Sequence, residues 1–135
     1  MAVLFIIEPK KIPFTLKSIA LFVVIRSCFV SLTHIGPFPT QAVVVSNLID
    51  KVNFGGDLFF SGHTGLPFLL SLIFWEEPWL RYFFIVSAIL FGVVVLLAHL
   101  HYSIDVLSAF FITYTIFHIA EKFFKKDRVL FFQGL

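Results

Sequence analysis

Four apolar runs, separated by short breaks rich in proline, glycine or charge, constrain this chain more than any other feature. They lie at about residues 15–35, 64–75, 82–99 and 103–124. A helix that crosses a bilayer needs about 20 predominantly apolar residues. The first, third and fourth runs meet that length. The second is short unless it extends back through Leu58, Phe59 and Phe60. Only 13% of the 135 residues are charged, 59% are hydrophobic and the mean hydropathy is +1.00. Soluble domains carry about a quarter of their residues as charges. A single domain of this length has too little interior to hide so many apolar side chains, and its twenty phenylalanines suit a surface that faces lipid. The expectation is an all-α integral membrane bundle of about four transmembrane helices.

The breaks are legible in local chemistry. Gly36-Pro37-Phe38-Pro39-Thr40 ends the first run, because proline has no N–H for the helical ladder and restricts the residue before it. Gly55-Gly56-Asp57 marks a turn, and Glu76-Glu77-Pro78 opens a short hairpin between the second and third runs. Residues 41–52 read as a short interfacial helix or strand. Lys10, Lys11 and Lys17 cluster around the start of the first run, Arg81 sits in the hairpin, and Lys122, Lys125, Lys126 and Arg128 cluster around the end of the last. The positive-inside rule then places both termini in the cytoplasm. Residues 1–14 form an N-terminal segment, 15–124 the membrane domain and 125–135 a basic cytoplasmic tail. The opening Met-Ala-Val-Leu-Phe-Ile-Ile lacks a basic leader, so it is expected to stay on the protein. A net charge of +2, scattered along the chain, excludes nucleic-acid binding. Cys28 is the single cysteine and cannot form an intrachain disulfide.

In this topology two polar islands reach the same outer face. One is Ser61-Gly62-His63-Thr64; the other is His99-Leu100-His101-Tyr102-Ser103-Ile104-Asp105. His101 and Asp105 share a face, one turn apart, if the segment is helical. A carboxylate on one ring nitrogen fixes the tautomer and leaves the other as nucleophile or base. Ser61 is a plausible N-cap, and Gly62 lets a ligand approach the backbone where a helix start offers unpaired N–H groups to an anion. Pro67 is expected within the first turn of that helix. His63 is placed to hold a phosphate oxygen or protonate a leaving group. These groups suit displacement at phosphorus through a phosphohistidine.

The stretches Gly55-Gly56-Asp57-Leu58-Phe59-Phe60-Ser61-Gly62-His63-Thr64 and His101-Tyr102-Ser103-Ile104-Asp105 resemble the two signature motifs of the sphingomyelin synthase family, a branch of the lipid phosphate phosphatase superfamily. The segment 26–39 also resembles the approach to that family's outer loop. The likeness spans about residues 26–119. It implies His101 as nucleophile, Asp105 as its orienting carboxylate and His63 as acid and base. It implies a phospholipid donor and a lipid alcohol acceptor, ceramide or diacylglycerol, and neither metal nor cofactor. The phosphatase branch carries a Ser-Arg pair where this chain has Val94 and Val95, and a Lys and Arg-Pro ahead of its Ser-Gly-His. Both departures favour the synthase side. Sphingomyelin synthases are similar to six-span proteins, two more than here.

Each of these residues also has a plainer reading. His34 and His118 read as interfacial polar groups. Asp57 either closes a turn or shapes the site, and His99 either stands at a helix end or contacts substrate. Arg26 falls near the middle of the first run, where a charge is costly and marks function by default; a phosphate or carboxylate is its expected partner. A zinc site from His63, His99 and His101 is a weaker alternative. The rival functions are a lipid phosphate or diphosphate phosphatase, with water as acceptor, and a catalytically silent lipid-binding subunit. The sequence leaves the oligomeric state open.

Overall fold

The computed structural model describes residues 9–33 and 60–133. A short 3-10 turn, Pro9–Lys11, leads into α1 (Ile12–Leu32), with Pro13 in the first turn where a missing N–H costs nothing. The other helices are α2 (Gly62–Ile73), α3 (Pro78–Leu97), α4 (Ser103–Phe123) and α5 (Lys125–Phe132). Among the described residues there is no strand. Three stretches, Pro9–Leu32, Pro78–Leu97 and Ser103–Phe123, are long and apolar enough to cross a membrane. The second run becomes the 12-residue α2, which is too short to span. Hydroxyls inside the spans turn back on their own helices: Ser18 donates to the Phe14 carbonyl at 2.8 Å and Ser27 to the Val23 carbonyl at 2.8 Å. That satisfies these two donors within their own helix.

α2 lies at the centre, packed on α3 and α4 and touched by α1. Gly65 makes this approach feasible: a Cβ there would stand 2.9 Å from both the Phe22 ring and Thr113 Oγ1. Leu69, Ile73, Phe74, Ala109 and Ile116 fill the core around it. The opposite side of α3, with Val86, Ile89, Leu90 and Val93, stays exposed, as a lipid-facing helix should. Pro67 stands in the second turn of α2 rather than the first, because the helix starts at Gly62. Its missing N–H deprives the His63 carbonyl of its usual helical donor.

The chain alternates direction, so the start of α1, the α2–α3 turn, the end of α4 and α5 share one end, called the base here. The basic tail is helical there. Arg128 donates to the Ile73 carbonyl at 3.1 Å and pairs with Glu121 at 3.3 Å. Its guanidinium lies within 4.8 Å of the Phe14 ring centroid, 5.4 Å of Phe117 and 5.1 Å of Phe131. Burial lowers its pKa, and Glu121 and Glu76 work in the other direction. Lys11, almost fully buried, pairs with Glu77, and Lys17 reaches Asp127 at 2.7 Å. The starts of α2 and α4 and the far third of α1 meet at the opposite end.

Candidate active site

Asp105 organises the far end. It is the third residue of α4, and its Oδ2 accepts the Tyr102 N–H at 2.8 Å, capping the helix. The same oxygen lies 3.8 Å from His101 Nδ1, within ion-pair reach but longer than a hydrogen bond. His101 stands in the bend before α4 rather than within the helix, so a turned backbone, not an i,i+4 helical face, brings the pair together. His101 is 8% accessible and Asp105 not at all, so the pair is sheltered from water. Asp105 Oδ1 is buried and finds no hydrogen-bond partner among the described residues. The carbonyl of Asp105 accepts the Ser61 N–H at 3.4 Å, which ties the start of α2 to the start of α4.

Ser61 occupies the N-cap position of α2, as expected, but its hydroxyl does not cap. It accepts from Thr64 Oγ1 at 3.4 Å, and both side chains are buried. The first N–H groups of α2 therefore keep the unpaired character of any helix start, next to Gly62 and the exposed His63.

Arg26 is not at mid-span. α1 begins at Ile12 and ends at Leu32, ahead of the expected bounds, so Arg26 falls in its last third. Its Nε donates to the Phe60 carbonyl at 3.3 Å, and among the described residues its Nη atoms have no hydrogen bond. The guanidinium lies directly over Gly62: a Cβ at that position would sit 2.9 Å from Arg26 Nε. The glycine thus makes room for the cation beside the unpaired N–H groups of the helix start, a corner whose chemistry suits an anion.

Phe60 carries no signal in the sequence, yet it sets this corner. It is fully buried, with φ 67, in the left-handed region that non-glycine residues seldom adopt. Its ring packs on Phe22 at 5.2 Å and Phe29 at 6.4 Å between centroids. Those contacts hold the strained backbone that aims its carbonyl at Arg26.

His99 adopts φ 53 at the end of α3. The Leu100 N–H returns to the Val95 carbonyl at 2.9 Å and the His99 N–H to Leu96 at 3.1 Å, a Schellman closure with histidine in the usual glycine position. Its side chain is exposed at the site end. Asp57 and His34 lie outside the described residues. His118 is exposed and contacts Glu121 at 3.2 Å, in keeping with a surface role. Among the described residues no cluster of histidine, cysteine and carboxylate has metal-site geometry.

Residues 55–122 match the family model described as PAP2 superfamily C-terminal, which takes in both polar islands. Comparison with curated proteins and with solved structures gives no match.

Proposed function

Because the chain belongs to the PAP2 superfamily, whose chemistry is that of phosphoester phosphatases and phosphotransferases, we propose that it moves a phospho-headgroup from a phospholipid to a lipid alcohol, in the manner of a sphingomyelin synthase. The observation that carries the reading is the meeting of His101–Asp105 with the Arg26–Gly62 corner through the Ser61–Asp105 bond. Arg26 and the first N–H groups of α2 take the non-bridging phosphate oxygens. Asp105 accepts from Nδ1 of His101 once the 3.8 Å separation closes on substrate binding. Nε2 then attacks phosphorus. The N–P bond forms, the P–O bond to diacylglycerol breaks, and His63 gives its proton to the leaving oxygen. In the second half His63 takes the proton from the hydroxyl of ceramide or another diacylglycerol. That oxygen attacks phosphorus, the N–P bond breaks and His101 is regenerated. Ser61 shapes the start of α2, Asp57 and His99 contact substrate, and the reaction needs no metal or cofactor.

Among the described residues Arg26 supplies a single cation at the corner. Val94 and Val95 stand where the phosphatase branch carries its Ser-Arg pair. A singly charged phosphodiester suits one guanidinium better than a monoester dianion does. The basic end faces the cytoplasm and the site faces the other side.

The test uses protein in lipid nanodiscs with a fluorescent ceramide, mixed phospholipids and, in a parallel reaction, phosphatidic acid. A phospho-ceramide product that vanishes in His101→Ala is the expected result, with turnover down at least about a thousandfold. Released phosphate lost in the same variant would make the protein a hydrolase. No product from folded protein would leave a silent lipid-binding subunit.

A further inference from the structure

The level of the site follows from residues that touch across the bundle. Arg128 at the base contacts Ile73, Phe14 and Phe117, one residue from each of α2, α1 and α4. The corresponding site residues on the same helices are Gly62, Arg26 and Asp105. These lie eleven, twelve and twelve residues away. At 1.5 Å per residue all three paths give about 17–18 Å. α3 agrees on the level: a Cβ on Gly92 would stand 3.2 Å from Val106 Cγ1 and 3.6 Å from Thr64 Oγ1.

Two helices do not stop there. α1 runs on to Leu32 and α3 to Leu97, six and five residues beyond Arg26 and Gly92. That is about 8–9 Å further along their axes. Neither 27–32 nor 93–98 contains a charged residue, and Leu32 and Leu97 are 81% and 74% exposed. Arg128 to these tips measures about 26 Å, close to the roughly 30 Å of a hydrocarbon core. With Arg128 set at one face of the hydrocarbon core, the tips stand near the other face and the site lies below them.

We infer that the reacting phosphate is held inside the leaflet, about 8–9 Å beneath the headgroup plane, between the rising ends of α1 and α3. The inference rests on the proposed reading of the Arg26–Gly62 corner as the phosphate site. The substrate is then a membrane-embedded phospholipid that sinks, or meets a thinned bilayer, so that its phosphate reaches Arg26 while its tails lie along apolar helix. A water-soluble phosphoester has no tails to hold it at that depth. This makes the depth of the Arg26–Gly62 corner a selector of substrate class.

The chain carries its own depth gauge. Cys28 is the single cysteine, exposed, and two residues above Arg26. A nitroxide on Cys28 in phosphatidylcholine vesicles is compared with one at Leu32→Cys in a Cys28→Ser background. Collision with oxygen and with a water-soluble nickel chelate is read for both. The expected result is a Cys28 label rich in oxygen contact and shielded from nickel, with the Leu32→Cys label about 6 Å shallower. A Cys28 label as open to nickel as the Leu32→Cys label, both at phosphate depth, would overturn the inference. The reading needs no turnover and is repeated in His101→Ala. An inactive wild type would sink the proposed reaction and leave the measured depth standing.

Discussion

Two arginines are withdrawn from water at opposite ends of this bundle, and they are treated in opposite ways. Arg128 at the base is enclosed: a carbonyl, a carboxylate and the faces of four phenylalanines take up its charge. Among the described residues Arg26 at the far end holds one carbonyl at 3.3 Å, through Nε alone. Lys11 and Lys17 at the base are likewise matched to Glu77 and Asp127. Each end keeps a buried polar atom without a hydrogen bond among the described residues, Arg128 Nε at the base, 3.3 Å from Glu121, and Asp105 Oδ1 at the far end, but both non-glycine residues at positive φ stand at the far end. A buried cation costs free energy unless it is paired. The base meets most of that cost within the protein, and on the proposed reading a ligand offsets it at the far end.

The contrast is broken hardest at Asp105. Asp105→Asn keeps an oxygen for the Tyr102 N–H but loses the charge beside His101. Turnover should fall about a thousandfold or more, by analogy with the orienting carboxylate of a catalytic triad. Its melting temperature should stay close to wild type, whereas Asp105→Ala should also lose a cap worth about 1 kcal/mol. Equal melting losses in both variants would mean that Asp105 is chiefly structural.

Arg128→Met tests the base. It orphans the Ile73 carbonyl, a loss on the order of 1–3 kcal/mol. The melting temperature in detergent should drop while turnover per folded molecule holds. A variant that melts normally but turns over slowly would tie the base to the chemistry and erase the contrast.

Gly62→Ala separates the ends more finely. Alanine favours a helix over glycine by up to about 1 kcal/mol, but here its Cβ meets Arg26 at 2.9 Å. Turnover should fall about tenfold with little loss of stability, the outcome of moving one charge-assisted hydrogen bond out of line. Unchanged turnover would show that Arg26 does not hold the phosphate.

The smallest effect is expected at His99→Gly. The left-handed position favours glycine, so stability should rise by about 0.5–1 kcal/mol. A loss of activity alongside that gain would mark His99 as a substrate contact; a gain with full activity would leave it a helix terminus.

Much of this was legible in the sequence. The bounds of α4 agree with expectation to one residue, and α3 starts four residues early because Pro78 is itself a good first helical residue. Apolar periodicity and punctuation are local, and so they survive translation into helices. The convergence of Ser61 with Asp105 followed from topology alone. The corner at Phe60 did not, since a left-handed phenylalanine held by Phe22 and Phe29 depends on residues more than thirty positions away. Nor did the enclosure of Arg128, which forms only when a short terminal helix folds under α1, α2 and α4. Arg26 was expected at mid-span because the run of apolar letters begins and ends later than α1 does.

The brevity of α2 has a consequence for biogenesis. At 12 residues it cannot lodge across a bilayer unaided. It joins α3 through a tight turn in which the Glu77 N–H meets the Phe74 carbonyl at 3.0 Å, so the two enter as one hairpin. His63 rides on the half that cannot insert alone. The end of the bundle where the starts of α2 and α4 meet, tied by the Ser61–Asp105 bond, therefore cannot form until α3 and then α4 have left the translocation machinery.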